Sequence, residues 1–271
     1  MKTYIQAQAA FHQFDSSHFY DQYDGKMHCP VTLEDRKKML LFFYHLLEQK
    51  NSSYEGLREL AEMKANELEN LSVQMETLSW DDFRALYTSS DQSLPFIGYG
   101  SLLNRRDVKR TLPRDREFTS VIVFGTKREF KYKIDFKEGE PCPNPDEIAA
   151  VGLDLDYNPH HYFNGVVFDL ARDEVDLIAK REEHYRLMKL PYIEISSKTP
   201  EIKEAYALIY PQNDGIELRP YLNYLFLIVS GMKNEIGLTQ FFCETTFLAD
   251  GTTSVAEWIR NEATQYFLLQ E

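Results

Sequence analysis

Apolar positions recur at helical spacing through the first third of the chain. "TLEDRKKMLLFFYHLLEQK" opens at Thr32 with an acidic residue three positions on, the signature of a capping box. It continues as an apolar run long enough for a buried helix. Leu57, Leu60, Ala61, Leu68, Leu71 and Met75 follow at helical intervals with Glu and Lys between them, which predicts a second, amphipathic helix. "SWDDFRALY" from Ser79 predicts a third, short one.

After the polar, linker-like run "TSSDQSL" at Thr88 to Leu94 the texture changes. "PFI", "SVIVFG", "YFNGVVFDL", "YIEISS" and "EAYALIYP" are short runs rich in Val, Ile, Tyr and Phe, broken by Gly, Asn or Pro, and they predict strands. Helices are expected at "ARDEVDLIAKREEHY", with Val175, Leu177, Ile178 and Ala179 inward, and at "PYLNYLFLIVSGMKNEIG", with Gly237 as its C-cap. The tail "SVAEWIRNEATQYFLL" places Val255, Trp258, Ile259 and Phe267 near one face of a closing helix. The chain therefore reads as α+β, with an α-helical N-terminal region over residues 1–90 and a strand-rich domain with a C-terminal helix over 91–271. The apolar faces carrying Leu40, Phe43, Leu47, Leu57, Leu60 and Leu68 must be covered by that domain, by a second copy of the chain or by a protein partner; the short linker favours the first.

A chain of 271 residues with 43% apolar side chains can build the core of one full domain plus extra elements, or of two small ones. Its formal charge of −13 argues against a broad nucleic-acid surface and favours a small polar substrate or a protein partner. "YLNYLFLIV" is the longest apolar stretch and falls far short of a membrane span. The opening "MKTYIQAQAAFHQFD" lacks the apolar run of a signal peptide, so a cytoplasmic protein is expected, although an effector exported without a leader would read the same. Cys29, Cys142 and Cys243 are odd in number, far apart and without CxxC spacing, and read as reduced thiols.

Three features bear on chemistry. In "PFIGYGSLLNRRDVKRTLP", Gly98 and Gly100 lack the Cβ that would keep a ligand from the backbone. The N–H groups near Gly100, Ser101 and Leu102 could converge on an oxygen anion, or the stretch could be a tight turn with no ligand. From Arg105 to Lys133 ten Lys and Arg stand against four Asp and Glu, either a solvated face or an electropositive rim. In "KREEHYRL", successive helical side chains lie about 100° apart. Glu182 or Glu183 can thus face inward, where burial raises a carboxylate's pKa and suits it to carry protons, or both can face solvent. His160 and His161 are adjacent before a strand, which is poor ligand geometry and reads as a polar turn; no metal is assigned.

Taken in order, "FIGYGSLLN" with "TLP" after it, "FGTKREF", "NGVVFDL", "LIAKREEHY", "YALIYP", "YLNYLFLIVSGMKNEIG" and "FFCETT" resemble the γ-glutamylcyclotransferase-like family, which includes ChaC-type and γ-glutamylamine cyclotransferases. The resemblance runs from about Phe96 to Thr246. It implies a mixed β-barrel with flanking helices, its cavity floored by the turn Tyr99, Gly100, Ser101 and Leu102. Arg181, Glu182 and Tyr185 match the family's Arg-Glu-x-x-Tyr pattern, so the resemblance assigns the catalytic acid/base to Glu182 and substrate binding to the turn, Tyr185 and Tyr210. It implies no cofactor. The activity it implies is cyclisation of a γ-glutamyl amide, as in glutathione metabolism, to 5-oxoproline with release of the amine. The alternative is a ligand-binding or protein-interaction module that keeps the fold without turnover. Residues before about 90 and the final 20 to 25 have no counterpart in the family pattern.

Overall fold

The computed structural model describes residues 32–49, 51–69, 76–89, 91–134, 146–232 and 236–268. Leu71, Met75, Cys29, Cys142 and the side chain of Phe267 lie outside these. Helix α1 (Leu33–Glu48) starts where the capping box places it: Thr32 Oγ1 accepts from the Asp35 N–H at 3.1 Å, and the Thr32 N–H donates to the Asp35 carboxylate at 3.3 Å. Asn51 caps α2 (Ser52–Leu68) through its side-chain oxygen. A two-residue strand β1 (Thr77–Leu78) leads into α3 (Trp80–Ala85), which opens on a second capping box between Ser79 and Asp82.

The strand-rich part begins inside the polar linker, with β2 (Ser93–Gly98), followed by a 3-10 turn at Gly100–Leu103 and α4 (Arg105–Thr111). Strands β3 (Thr119–Gly125), β4 (Arg128–Lys133), β5 (Ala149–Leu153) and β6 (Asn158–Ala171) precede α5 (Val175–Arg181). Strands β7 (Arg186–Glu194) and β8 (Lys203–Ile209) lead to α6 (Leu222–Gly231), α7 (Ile236–Glu244), β9 (Thr246–Leu248) and α8 (Val255–Leu268). The described residues thus form an α+β fold with two sheets and eight α-helices.

In the larger sheet β2 runs antiparallel to β6, β6 to β3, β3 to β7 and β7 to β8, while β8 returns to β2 as a parallel neighbour at Phe96–Tyr206 and Ile97–Ala207. These pairings form a closed circuit of five strands. The small sheet sets β4 between antiparallel β5 and parallel β9. Among the described strands, β1, β4, β5 and β9 were not expected.

The N-terminal helices pack on the rest of the chain, α1 against α8 and α2 against α7 and β6. Leu40, Phe43, Leu47, Leu57 and Leu68 are buried and Leu60 is half-buried, all within one apolar cluster that also takes in the strands. Arg36 on α1 binds Glu147 and Glu262, the latter on α8 at 2.7 Å. The Gln240 amide on α7 donates to the Leu46 carbonyl at 2.9 Å, supplying a donor that the end of α1 lacks. No helix among the described residues is long and apolar enough to cross a membrane.

Three expectations need correction. The helix expected through Tyr185 stops at Arg181, and of its supposed inward residues Leu177 is 45% exposed while Val175, Ile178 and Ala179 are buried. The run from Pro220 to Gly237 is not one helix capped by Gly237. It divides into α6 and α7, and Gly237 lies inside α7, where a Cβ would come 3.0 Å from the Tyr54 backbone nitrogen; glycine there permits close approach to α2. His160 and His161 belong to β6 rather than to a turn, and His160 Nε2 meets Glu69 at 2.5 Å.

Candidate active site

The quoted turn is built by backbone geometry. β2 delivers Tyr99 extended, and Gly100, at φ +62°, swings the chain into the 3-10 turn. Asn104 fastens the turn's far end: its carbonyl oxygen Oδ1 accepts from the Arg106 N–H at 3.0 Å, and its amide donates to Leu227 O and Ser230 Oγ on α6, both at 3.1 Å. The turn is therefore held against α6.

The donors expected to converge on an anion are partly engaged. The Leu102 N–H turns back to Tyr99 O at 3.3 Å, and the Ser101 N–H donates to the Tyr224 hydroxyl at 3.3 Å. Tyr224, which the sequence reading did not single out, thus stands where an anion would meet the Ser101 amide.

Glu182 sits at the C-cap of α5 in a non-helical conformation, φ −115° and ψ 37°. Its carboxylate side chain is 13% exposed, whereas that of Glu183 is 70% exposed, so the two neighbours occupy different environments. Burial raises the Glu182 pKa; the Arg181 guanidinium offsets part of that rise and the Asp107 carboxylate adds to it. Arg181 binds Glu182 Oε1 through Nε at 2.8 Å, Asp107 Oδ2 at 2.6 Å and Ser101 Oγ at 2.8 Å. Burial opposes its charge, but the two carboxylates more than compensate and hold its pKa up.

The tyrosines gather around this group. Tyr99 is buried, its hydroxyl donating to Leu208 O at 2.7 Å, and its ring meets Phe163 edge-on. Tyr185 folds back because its N–H donates to Glu182 O at 3.0 Å, and its ring lies 5.5 Å from Tyr210 and 5.8 Å from Tyr132. Tyr210 donates to Asp214 at 3.0 Å. Burial raises the pKa of Tyr99, Tyr185 and Tyr224, so all three are neutral hydroxyls at physiological pH. Leu102 is buried apolar packing under the turn. Tyr99, Ser101, Glu182, Tyr185 and Tyr224 thus form one neighbourhood, with Tyr132 and Tyr210 extending it along the tyrosine stack.

Arg181, Asp107, Tyr132 and Tyr224 were missed as members. Arg181 was visible in the sequence only as part of a pattern, and Tyr224 only as one apolar helix position among many. Among the described residues no group of three or more His, Cys, Asp or Glu side chains is arranged to hold a metal ion. Cys243 is free and buried, its thiol pushed up to about 12 by burial, so it is unreactive at neutral pH.

No known family's sequence pattern matches the chain, and no curated protein matches it. Among solved structures, one titled gamma-glutamyl cyclotransferase is 10% identical over 64% of this chain and 99% of that one, with a TM-score of 0.40. YkqA from Bacillus subtilis is 15% identical over 53% of this chain and 49% of its own, with a TM-score of 0.39. A solution structure from Arabidopsis thaliana is 20% identical over 46% of this chain and 66% of that one, with a TM-score of 0.33.

Proposed function

We propose that the chain is a γ-glutamylcyclotransferase-like enzyme acting on a small γ-glutamyl amide in the cytoplasm, with Glu182 as its acid/base. The observation that carries this reading is the Arg181 guanidinium, which joins the Glu182 carboxylate to Ser101 of the Tyr-Gly-Ser-Leu turn, 80 residues away in sequence. Two motifs that the resemblance pairs are thereby one hydrogen-bonded unit.

In a γ-glutamyl amide the α-amine can reach its own γ-carbonyl, so folding the substrate supplies most of the proximity. Glu182, ionised and made more basic by burial, takes a proton from the α-ammonium. The amine nitrogen then bonds to the γ-carbonyl carbon, and the carbonyl electron pair moves onto oxygen. In this reading the Ser101 N–H, once released from the Tyr224 hydroxyl, and that hydroxyl itself donate to the oxyanion. The ring nitrogen gives up its second proton to water, and the intermediate collapses with cleavage of the γ-amide bond while Glu182 returns its proton to the departing amine. The products are 5-oxoproline and the free amine. Tyr185 and Tyr210 wall the substrate.

The test is incubation with glutathione, γ-glutamyl dipeptides and γ-glutamylamines, assaying 5-oxoproline. Release that Glu182→Gln abolishes supports the reading; no release from any compound sinks it. A second reading, a ligand-binding module without turnover, is favoured by the Tyr224 hydroxyl already occupying the Ser101 amide. Calorimetric binding of the same compounds without 5-oxoproline would support that one.

A further inference from the structure

We infer that the segment Thr77–Tyr87 is a positioning element for Glu182, with Trp80 and Arg84 fixing the turn from which the carboxyl projects. This rests on the acid/base role proposed above. The segment precedes the part of the chain that resembles the cyclotransferase family, so nothing in that resemblance assigns it a task.

Four contacts carry the inference. The Trp80 indole N–H donates to the backbone carbonyl of Glu182 at 3.3 Å. That carbonyl lies beyond the last turn of α5, where no helical donor follows, and its other partner is the Tyr185 N–H. Arg84 Nε binds Asp176 on the first turn of α5 at 2.7 Å. On the far side of the turn, β1 pairs with the start of β7, Thr77 opposite Met188 and Leu78 opposite Leu187. The segment therefore grips α5, the 182–185 turn and the strand that leaves it.

Its own footing is firm. Phe83 is fully buried, edge-on to Tyr206 on β8 at 5.0 Å and to Phe96 on β2 at 6.4 Å, and the Tyr87 hydroxyl donates to Leu170 O on β6 at 2.8 Å. Trp80 is thus referenced to the closed circuit of strands, and it transmits that reference to Glu182. The titratable and charged groups facing Glu182 are Arg181, Asp107, Tyr99, Tyr185 and Tyr224, none of them on Thr77–Tyr87, so a change at Trp80 removes no charge from the site.

The test is the titration of the Glu182 carboxyl carbon, followed by NMR in glutamate-labelled full chain and assigned by its absence in Glu182→Gln. Trp80→Phe keeps a ring beside Phe83 and loses the donor. The expected result is a midpoint shifted down from the parent's, because a loosened turn admits water to a carboxyl that burial had raised. In the 5-oxoproline assay kcat should fall about two- to tenfold with KM little changed, the scale of one lost hydrogen bond. Arg84→Gln alters only exposed ion pairs, to Asp81 and Asp176, should shift the midpoint the same way, and decides the matter if Trp80→Phe does not fold. An unmoved midpoint in the folded variants, even with a lower Tm, would mean that the segment only stabilises the fold. The titration needs no turnover, so a chain that releases no 5-oxoproline refutes the proposed reaction without touching this result.

Discussion

Adding a single methyl group at Gly100 tests the turn most directly. Gly100 has φ +62°, and a Cβ there would lie 2.6 Å from both the Tyr224 hydroxyl oxygen and Val151 Cγ2. The left-handed conformation costs a residue with a Cβ about 1–2 kcal/mol. Tyr224 and Val151 are 7% and 2% exposed, so neither can swing into solvent, and forcing them apart costs about another 1–3 kcal/mol. Gly100→Ala should therefore destabilise the fold by about 3 kcal/mol, lowering Tm by about 6–12 °C for a chain near this size. A thermal melt followed by circular dichroism reads this. The same substitution in a Tyr224→Phe background meets no hydroxyl, and its cost should be smaller by about 1 kcal/mol, a coupling that a double-mutant cycle isolates. A Gly100→Ala protein melting within about 2 °C of its parent, or a cycle with no coupling, would refute the geometry argued for this turn.

Glu182→Gln should lower turnover by roughly 10² or more, while the exposed Glu183→Gln leaves it near the parent value; initial rates of 5-oxoproline release distinguish them. Stability should move the other way. Because burial raises the folded pKa of Glu182 above its unfolded value, its ionised form costs stability that rises as pH climbs through the folded pKa and vanishes below the unfolded one. Glu182→Gln should thus melt higher than the parent at neutral pH, with Asp107 still pairing Arg181, and the gap should close as the pH falls into the ordinary carboxylate range. Deleting residues 1–88 uncovers the faces of α7, α8 and β6 and should give a lower Tm and concentration-dependent association by light scattering. A truncated protein as stable and monomeric as the full chain would show the helices to be an independent module.

Local signals were legible where the chain decides its own geometry. The boxes at Thr32 and Ser79 are satisfied within four residues, so no distant partner was needed to place the starts of α1 and α3. The strand β4 was not legible, because "REFKYK" looks like surface. Arg128, Glu129 and Lys131 are 0%, 6% and 2% exposed, held by neighbours far off in sequence. Arg128 donates to Thr246 Oγ1 at 2.8 Å and Asn164 O at 2.7 Å, and its guanidinium lies 3.9 Å from the Phe242 ring centre. Burial lowers its pKa to about 9, which leaves it charged at neutral pH. A polar strand buried by tertiary partners carries no periodic signature. The site divides in the same way. Glu182 could be singled out by pattern, but its separation from Glu183 depends on where α5 stops, and the role of Tyr224 depends on a hydroxyl reaching across from another helix.

The packing of α1 against α8 has a consequence for how the chain is made. Glu48 at the end of α1 meets Arg260 on α8, 212 residues later. Ribosomes add about 5–20 residues per second, so "MLLFFYHLL" spends on the order of 10–40 s outside the exit tunnel before its cover exists. The strand circuit imposes a delay about half as long, since β2 waits for β8 to emerge before its parallel neighbour is in reach. An apolar segment exposed this early and buried this late is aggregation-prone during translation. Yield of soluble chain should therefore depend on translation speed and chaperone supply more than on the thermodynamic stability of the finished fold.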